Sequence, residues 1–116
     1  MPCLKILTNL SSSNVPSDFV NNIIPLLSKV VNKPPQKFTC IISSDCQLSF
    51  GGNSSEPGAV ASLESIGHLG PKENKLIAKE VTEFVQKELG IPSSRFFLSF
   101  YDLQPNNVAI KGDTVA

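Results

Sequence analysis

Apolar positions along the chain change period several times, and each change marks an element. Cys3, Leu4, Ile6 and Leu7 form a short apolar run that predicts a strand almost at the start, and Ser11-Ser12-Ser13-Asn14 then reads as a loop. From Pro16 to about Asn32, Phe19, Ile23, Leu26, Leu27, Val30 and Val31 recur at helical spacing. Pro16 suits a first helical turn, where its missing N–H costs nothing. Pro25 does not fit a helix interior: it removes the bond to the Asn21 carbonyl, so a kink or an early irregular turn is expected there. Lys33-Pro34-Pro35 stops this helix. Phe38–Ser43 reads as a buried strand, 50–55 as a Gly- and Ser-rich loop, and Ala59–Ile66 as a strand broken by Gly67 and Gly70.

A second helix is predicted over Pro71–Leu89. Ile77, Val81, Phe84, Val85 and Leu89 make one apolar stripe, and Lys72, Lys75, Lys79, Glu83 and Lys87 hold the other side. Glu83 and Lys87 have the spacing of a favourable i,i+4 pair. Gly90 suits the C-cap, and Pro92 prevents continuation. Phe96–Tyr101 is strongly strand-like, and Val108–Val115 predicts one more short strand.

The two halves echo one another: strand, loop, amphipathic helix, proline stop, basic residue, Phe-led strand. Pro35-Gln36-Lys37-Phe38 follows the first helix and Pro92-Ser93-Ser94-Arg95-Phe96 the second. Two βαβ repeats (βαββαβ) predict an α/β fold, one four-stranded sheet with two helices on one face. The other face would carry apolar residues outward and require burial by self-association, for which a closed ring of identical subunits is the natural solution.

Composition narrows the function classes. At 116 residues and 41% hydrophobic, the chain is the size of one domain, 1–116, and apolar enough to collapse without a metal or disulfide frame. Ten basic residues, only one of them Arg, balance ten acidic ones, which argues against a nucleic-acid partner and against an anionic membrane surface. No apolar run is long enough for membrane insertion, and the start lacks the pattern of a secretory signal, so a cytoplasmic pool is expected. The sequons at Asn9 and Asn53 are then expected to stay unmodified. Cys3, Cys40 and Cys46 are odd in number, have no metal-ligand spacing, and lie far from the single His68, so neither a metal site nor a disulfide framework is expected; there is also no Gly-rich phosphate loop, and no cofactor is expected. His68 reads as an exposed loop histidine and Cys3 as a strand residue rather than a nucleophile.

Pro2 is chemically different. Removal of Met1, which a small second residue permits, would leave a secondary amine at the head of a buried strand. Burial and a neighbouring cation both lower an amine's pKa, and an amine lowered toward neutrality is a general base. Taken alone, a proline at this position is weak.

Pro2, Thr8-Asn9, Val15-Pro16, Lys33-Pro34-Pro35-Gln36, Phe50-Gly51-Gly52, Ser55-Glu56-Pro57, Ser65-Ile66-Gly67 and Asn107-Val108 stand in an order and spacing that resembles the macrophage migration inhibitory factor (MIF) family over essentially the whole chain. The ending, Ile110-Lys111-Gly112 before Thr114, looks more like the D-dopachrome tautomerase branch, and both branches stay open. The resemblance implies a homotrimer whose sheets form a central barrel. It implies tautomerisation of phenylpyruvate-type or dopachrome-type substrates, small aromatic keto acids among them, in a pocket between subunits. Carried over by position, Pro2 is the base, Lys33 binds the substrate carboxylate and depresses the amine, Ile66 offers its backbone, and Val108 lines the pocket. The pocket tyrosine falls on Phe97, which has no hydroxyl, the pocket asparagine on the shorter Ser99, and the late aromatic positions on Ile110 and Val115. Weaker activity or a shifted substrate preference is expected.

The C-x-x-C positions of some members are Gly58 and Ala61, which excludes redox chemistry through that motif. The resemblance also implies a cytokine-like immune modulator with a cell-surface receptor and export by a route that needs no signal. Ser12, in place of the family's loop arginine, weakens the chemokine-receptor part of that expectation, although Asp45 remains. A cytokine homologue with a vestigial pocket is the rival reading. A ferredoxin-like nucleic-acid domain shares the element order, but the neutral charge opposes it.

Overall fold

The computed structural model describes residues 1–116. Strand β1 (Cys3–Thr8) lies inside the sheet and shows why the early apolar run alternates. Leu4, Ile6 and Thr8 are fully buried on one face, while Lys5 and Leu7 are exposed on the other. β1 runs parallel to β2 (Thr39–Ser43), pairing Cys3 with Thr39 through Leu7 with Ser43. It runs antiparallel to β3 (Ala59–Ser65), pairing Cys3 with Glu64 through Thr8 with Ala59. β3 in turn runs parallel to β4 (Phe96–Asp102), so the order is β2-β1-β3-β4. Parallel neighbours need long crossovers, and helices supply both.

The first crossover is broken where the sequence predicts. α1 (Phe19–Asn22) and α2 (Ile24–Val31) are separate helices, with Ile23 at the join. Restarting the helix moves Pro25 into the first turn of α2, where its missing N–H has no intrahelical partner to lose. The predicted helix also begins later than Pro16, because the N–H of Phe19 turns back to the Pro16 carbonyl. The second crossover, α3 (Pro71–Leu89), is one unbroken helix with the predicted bounds, closed by Gly90 at φ 68°. Glu83 and Lys87 do not pair. The one ion pair of the fold joins Lys5 to Glu64 at 3.5 Å across β1 and β3, and the two exposed helix side chains remain solvated instead.

The core lies between the sheet and the helices. Leu4, Ile6 and Leu63 from the sheet meet Phe19, Ile23, Leu27 and Val31 from α1 and α2, and Ile77, Val81 and Val85 from α3. Full burial of each large apolar side chain contributes about 1.5–3 kcal/mol. Phe84, on the predicted stripe, is only partly buried and packs on Phe19 with ring centroids 5.8 Å apart.

The sequence echo before β2 and β4 has a structural counterpart. A single 3-10 turn, Pro35–Lys37 or Ser93–Arg95, leads into each strand. The two basic residues differ: Lys37 is exposed, while Arg95 is buried. The tail holds two strands rather than one. β5 (Ala109–Ile110) and β6 (Asp113–Thr114) pair across Lys111 and Gly112. Both linking residues have positive φ, 57° and 80°, the geometry of a tight hairpin turn.

The helices cover one face only. On the other, Leu7 (51% exposed), Ile41 (50%), Phe97 (57%) and Tyr101 (52%) are open. Leu7, Val60 and Phe97 form a row across β1, β3 and β4. No helix is long and apolar enough to cross a membrane.

Candidate active site

The start of β1, the residues after α2, the turn after β3 and the C-terminal hairpin meet at one end of the sheet. They enclose a cleft of about 350 Å³ lined by Met1, Lys33, Pro34, Lys37, Ile66, Pro105, Ile110 and Val115. A larger depression of about 540 Å³ lies beside Asn9, Cys46 and Ser49. It holds no cation or amine, and Asn9 is already engaged, donating to the Glu56 carbonyl at 2.9 Å and accepting from the Gly58 N–H at 2.9 Å. Only the smaller cleft brings the chain-start amine and lysine side chains together.

Lys33 is placed by the way α2 ends. Asn32 takes left-handed angles (φ 61°, ψ 54°), and the N–H groups of Asn32 and Lys33 both return to the Ser28 carbonyl. The Ser28 hydroxyl donates to the Lys33 carbonyl at 2.6 Å, which fixes the backbone before Pro34. From there the Lys33 ammonium donates to the Ile66 carbonyl at 2.7 Å.

Ile66 is held just as firmly. Ser65, fully buried, donates its hydroxyl to the Gly67 carbonyl at 2.8 Å, and its own carbonyl accepts the Leu103 N–H at 2.8 Å. The Gly67 N–H donates to Asp102 Oδ1 at 2.9 Å. Gly67 has φ 72° with open space around its Cα, so glycine is required there by backbone conformation rather than by crowding.

His68 follows, exposed as the sequence predicts, but it is tied down. Its Nδ1 lies 2.8 Å from the Val31 carbonyl. A carbonyl only accepts, so Nδ1 carries the proton. This bond joins the end of α2 to the turn after β3 and brings Lys33 and Ile66 together.

Burial lowers the pKa of the chain-start amine, here on Met1, and the positive charges of Lys33 and then Lys37 lower it further. Burial likewise lowers the Lys33 ammonium pKa, and Asp102 partly offsets this. Pro2 is buried, with its carbonyl accepting the Thr39 N–H at 3.0 Å. Elsewhere, burial raises the Cys3 thiol pKa, and burial, with the neighbouring Cys3, pushes Cys40 up to about 12. Both thiols are therefore held protonated rather than reactive. No three His, Cys, Asp or Glu side chains converge on a point that would hold a metal ion.

Of the residues singled out in the sequence, Lys33, Ile66, Ile110 and Val115 share the cleft with the chain start. Val108 does not line the cleft; its carbonyl accepts the N–H of Val115, which does, at 3.0 Å. Phe97 and Ser99 are not in the cleft. They lie on the open face of β4, opposite Val60 and Ser62, where Ser99 shares a shallow groove with Lys5 and Tyr101. Sequence reading missed Pro34, Pro105 and Lys37 as cleft residues. The signal for Lys37 was its place four residues after Lys33, beyond two prolines that turn the chain back.

A family model described as macrophage migration inhibitory factor (MIF) matches residues 1–116. The macrophage migration inhibitory factor of Xenopus tropicalis is 35% identical over 116 residues, covering all of both chains. A homolog from Trichinella spiralis is 35% identical over 114 residues, 98% of this chain and 99% of its own. The solved structure of the Trichinella spiralis protein superposes with a TM-score of 0.92 at 32% identity, covering 97% of this chain and 98% of that one. A homologue from Prochlorococcus marinus, at 20% identity, superposes with a TM-score of 0.90 over 98% of this chain and 99% of its own, a likeness of fold alone. A matching family model over every residue, together with full-length relatives above 30% identity, settles the affiliation: the chain belongs to the macrophage migration inhibitory factor family.

Proposed function

We propose that the protein is a keto–enol tautomerase acting on phenylpyruvate-type or dopachrome-type substrates, with Pro2 as general base once Met1 is removed. The observation that carries this reading is the depressed amine at the chain start, in a cleft it shares with Lys33. Loss of Met1 moves the terminal amine one residue inward, onto Pro2. The Pro2 nitrogen removes a proton from the carbon α to the ketone. The C–H electron pair becomes the C=C bond of the enol, and the ketone oxygen gains the charge and then a proton. The reaction is an isomerisation, so it needs no redox partner. Lys33 binds the substrate carboxylate and stays protonated, and its positive charge favours the developing enolate. The Ile66 backbone offers a polar contact to the substrate, and Val108 backs the pocket wall.

In this reading three copies associate through the open face and edges of the sheet, and a neighbouring copy brings Phe97 and Ser99 to the cleft. The exposed row of Leu7, Val60 and Phe97 supports such burial. Phe97 lacks a hydroxyl and Ser99 is a short donor, so one charge-assisted hydrogen bond is lost. That loss costs about 1.5–3 kcal/mol, tenfold or more in efficiency. The weakened pocket favours a second role beside the enzymatic one, as a receptor-binding, cytokine-like immune modulator. In that role the protein is held in the cytoplasm and exported from it.

The test is intact mass followed by phenylpyruvate turnover across pH. Loss of Met1, and activity that disappears in Pro2→Gly, are expected. Retention of Met1 with undiminished activity overturns the proposal for Pro2. Receptor signalling that survives Pro2→Gly separates the cytokine role from the chemistry.

A further inference from the structure

Lys33 is not the only cation in the cleft. Lys37 lines the same wall, brought back toward it by the turn at Pro35–Lys37. Lys33 already donates to the Ile66 carbonyl. The Lys37 ammonium has neither a hydrogen-bond acceptor nor a carboxylate, since the one ion pair of the fold is Lys5 with Glu64. No Asp or Glu lines the cleft. Asp102, the carboxylate whose charge acts on Lys33, is outside the lining and accepts from the Gly67 N–H. Two cations thus share about 350 Å³ with no anion between them. A keto acid with one carboxylate satisfies Lys33 and leaves Lys37 unmatched. The rest of this chain's own wall is Pro34, Pro105, Ile110 and Val115, which carry no charge. Phe97 and Ser99 from a neighbouring copy bring no charge, so they do not cancel Lys37.

We infer that Lys37 is a specificity residue for a second anionic group, and that the cleft selects 2-oxo-dicarboxylates over keto acids with a single carboxylate. The reaction assigned to such a substrate rests on the tautomerase reading; the selectivity of binding does not.

The test uses the protein with Met1 removed. It compares 2-oxoglutarate with 2-oxopentanoate, the same five-carbon chain with a methyl group in place of the far carboxylate, by calorimetry or NMR titration at low salt. The dianion should bind at least about fivefold tighter, with a ratio that shrinks as salt is added. Lys37→Ala should bring the two affinities within about twofold by weakening only the dianion, and Lys37→Arg should retain the preference. Equal affinities in the unaltered protein, a ratio indifferent to Lys37→Ala, or no binding of either compound would each overturn the inference. Turnover of enol-oxaloacetate and of phenylpyruvate is measured alongside. Selective binding without turnover of either defeats the tautomerase reading alone, whereas turnover of both without selective binding defeats this inference alone.

Discussion

Replacing Arg95 by Ala should be among the most damaging single changes outside the apolar core. Arg95 is only 8% exposed. Its Nε donates to the Pro57 carbonyl at 2.8 Å, and its Nη2 donates to the carbonyls of Asn53 at 3.0 Å and Glu56 at 2.8 Å. The guanidinium carbon also lies 5.2 Å from the Phe50 ring centroid. One side chain therefore closes the whole 53–57 loop onto the turn that starts β4. Each hydrogen bond from a charged donor is worth about 1.5–3 kcal/mol when its partner stays dry. The simple sum overshoots. Ser54, Ser55 and Glu56 are exposed, so water reaches part of the loop once the guanidinium is gone, and its own desolvation is relieved. The net loss should be about 2–4 kcal/mol, or a fall in Tm of roughly 8–16 °C for a chain of this size. A lysine at this position would restore the charge but not the planar fork, so Arg95→Lys should recover less than half of the loss. Phe50→Leu removes the ring alone and should cost about 0.5–2 kcal/mol. Urea unfolding at one fixed protomer concentration measures all three, because association would otherwise shift the midpoint. A loss below about 0.5 kcal/mol in Arg95→Ala, or an Arg95→Lys protein as stable as the original, would overturn the role given to this side chain.

Other consequences are equally direct. Lys33→Ala removes a cation that lowers the amine pKa, so the amine should hold its proton to higher pH. The acid limb of kcat/KM should then move upward, and efficiency should fall roughly ten- to hundredfold; an unmoved limb contradicts the role given to Lys33. Phe97→Glu places a charge on the open sheet face, where Phe97 is 57% exposed. Light scattering should show a larger particle for the unaltered protein and a single chain for the variant, and equal masses would count against burial of that face. Cys40, with its thiol pushed up to about 12, has a thiolate fraction of about one in ten thousand at pH 8. It should escape iodoacetamide there and become reactive only as pH rises toward that value; prompt labelling at pH 8 would contradict it.

Much of this was legible from period and punctuation. α3 was readable to its ends because Pro71, the Ile77-Val81-Val85-Leu89 stripe and Gly90 all point the same way. Pro25 marked the break between α1 and α2 because a missing donor has only one comfortable place in a helix. The tail was harder: Lys111-Gly112 is an unusual hairpin pair, and its two-residue strands carry almost no periodicity.

The site was legible in residue type and not in depth. Lys33 and Ile66 stood out only in company with other motifs. The bonds that unite them run through Ser28, Ser65 and His68, whose partners lie 5, 2 and 37 residues away and follow no local pattern. Arg95 was visible as a basic residue before a strand, like Lys37, yet one is buried against carbonyls and the other faces the cleft. Gly58 shows the same gap. Its neighbours, the Phe50 ring at 3.2 Å and the Arg95 carbonyl at 3.3 Å from any added Cβ, explain why a side chain is unwelcome there, and neither contact follows a local sequence pattern.

The proposed chemistry stands on the state of one nitrogen. In protein lacking Met1, 15N NMR of Pro2 across pH reads its protonation directly. The midpoint should lie well below that of a solvated prolyl amine and rise again in Lys33→Ala. A midpoint at the ordinary value, unmoved by that substitution, would contradict the assignment of Pro2 as the base.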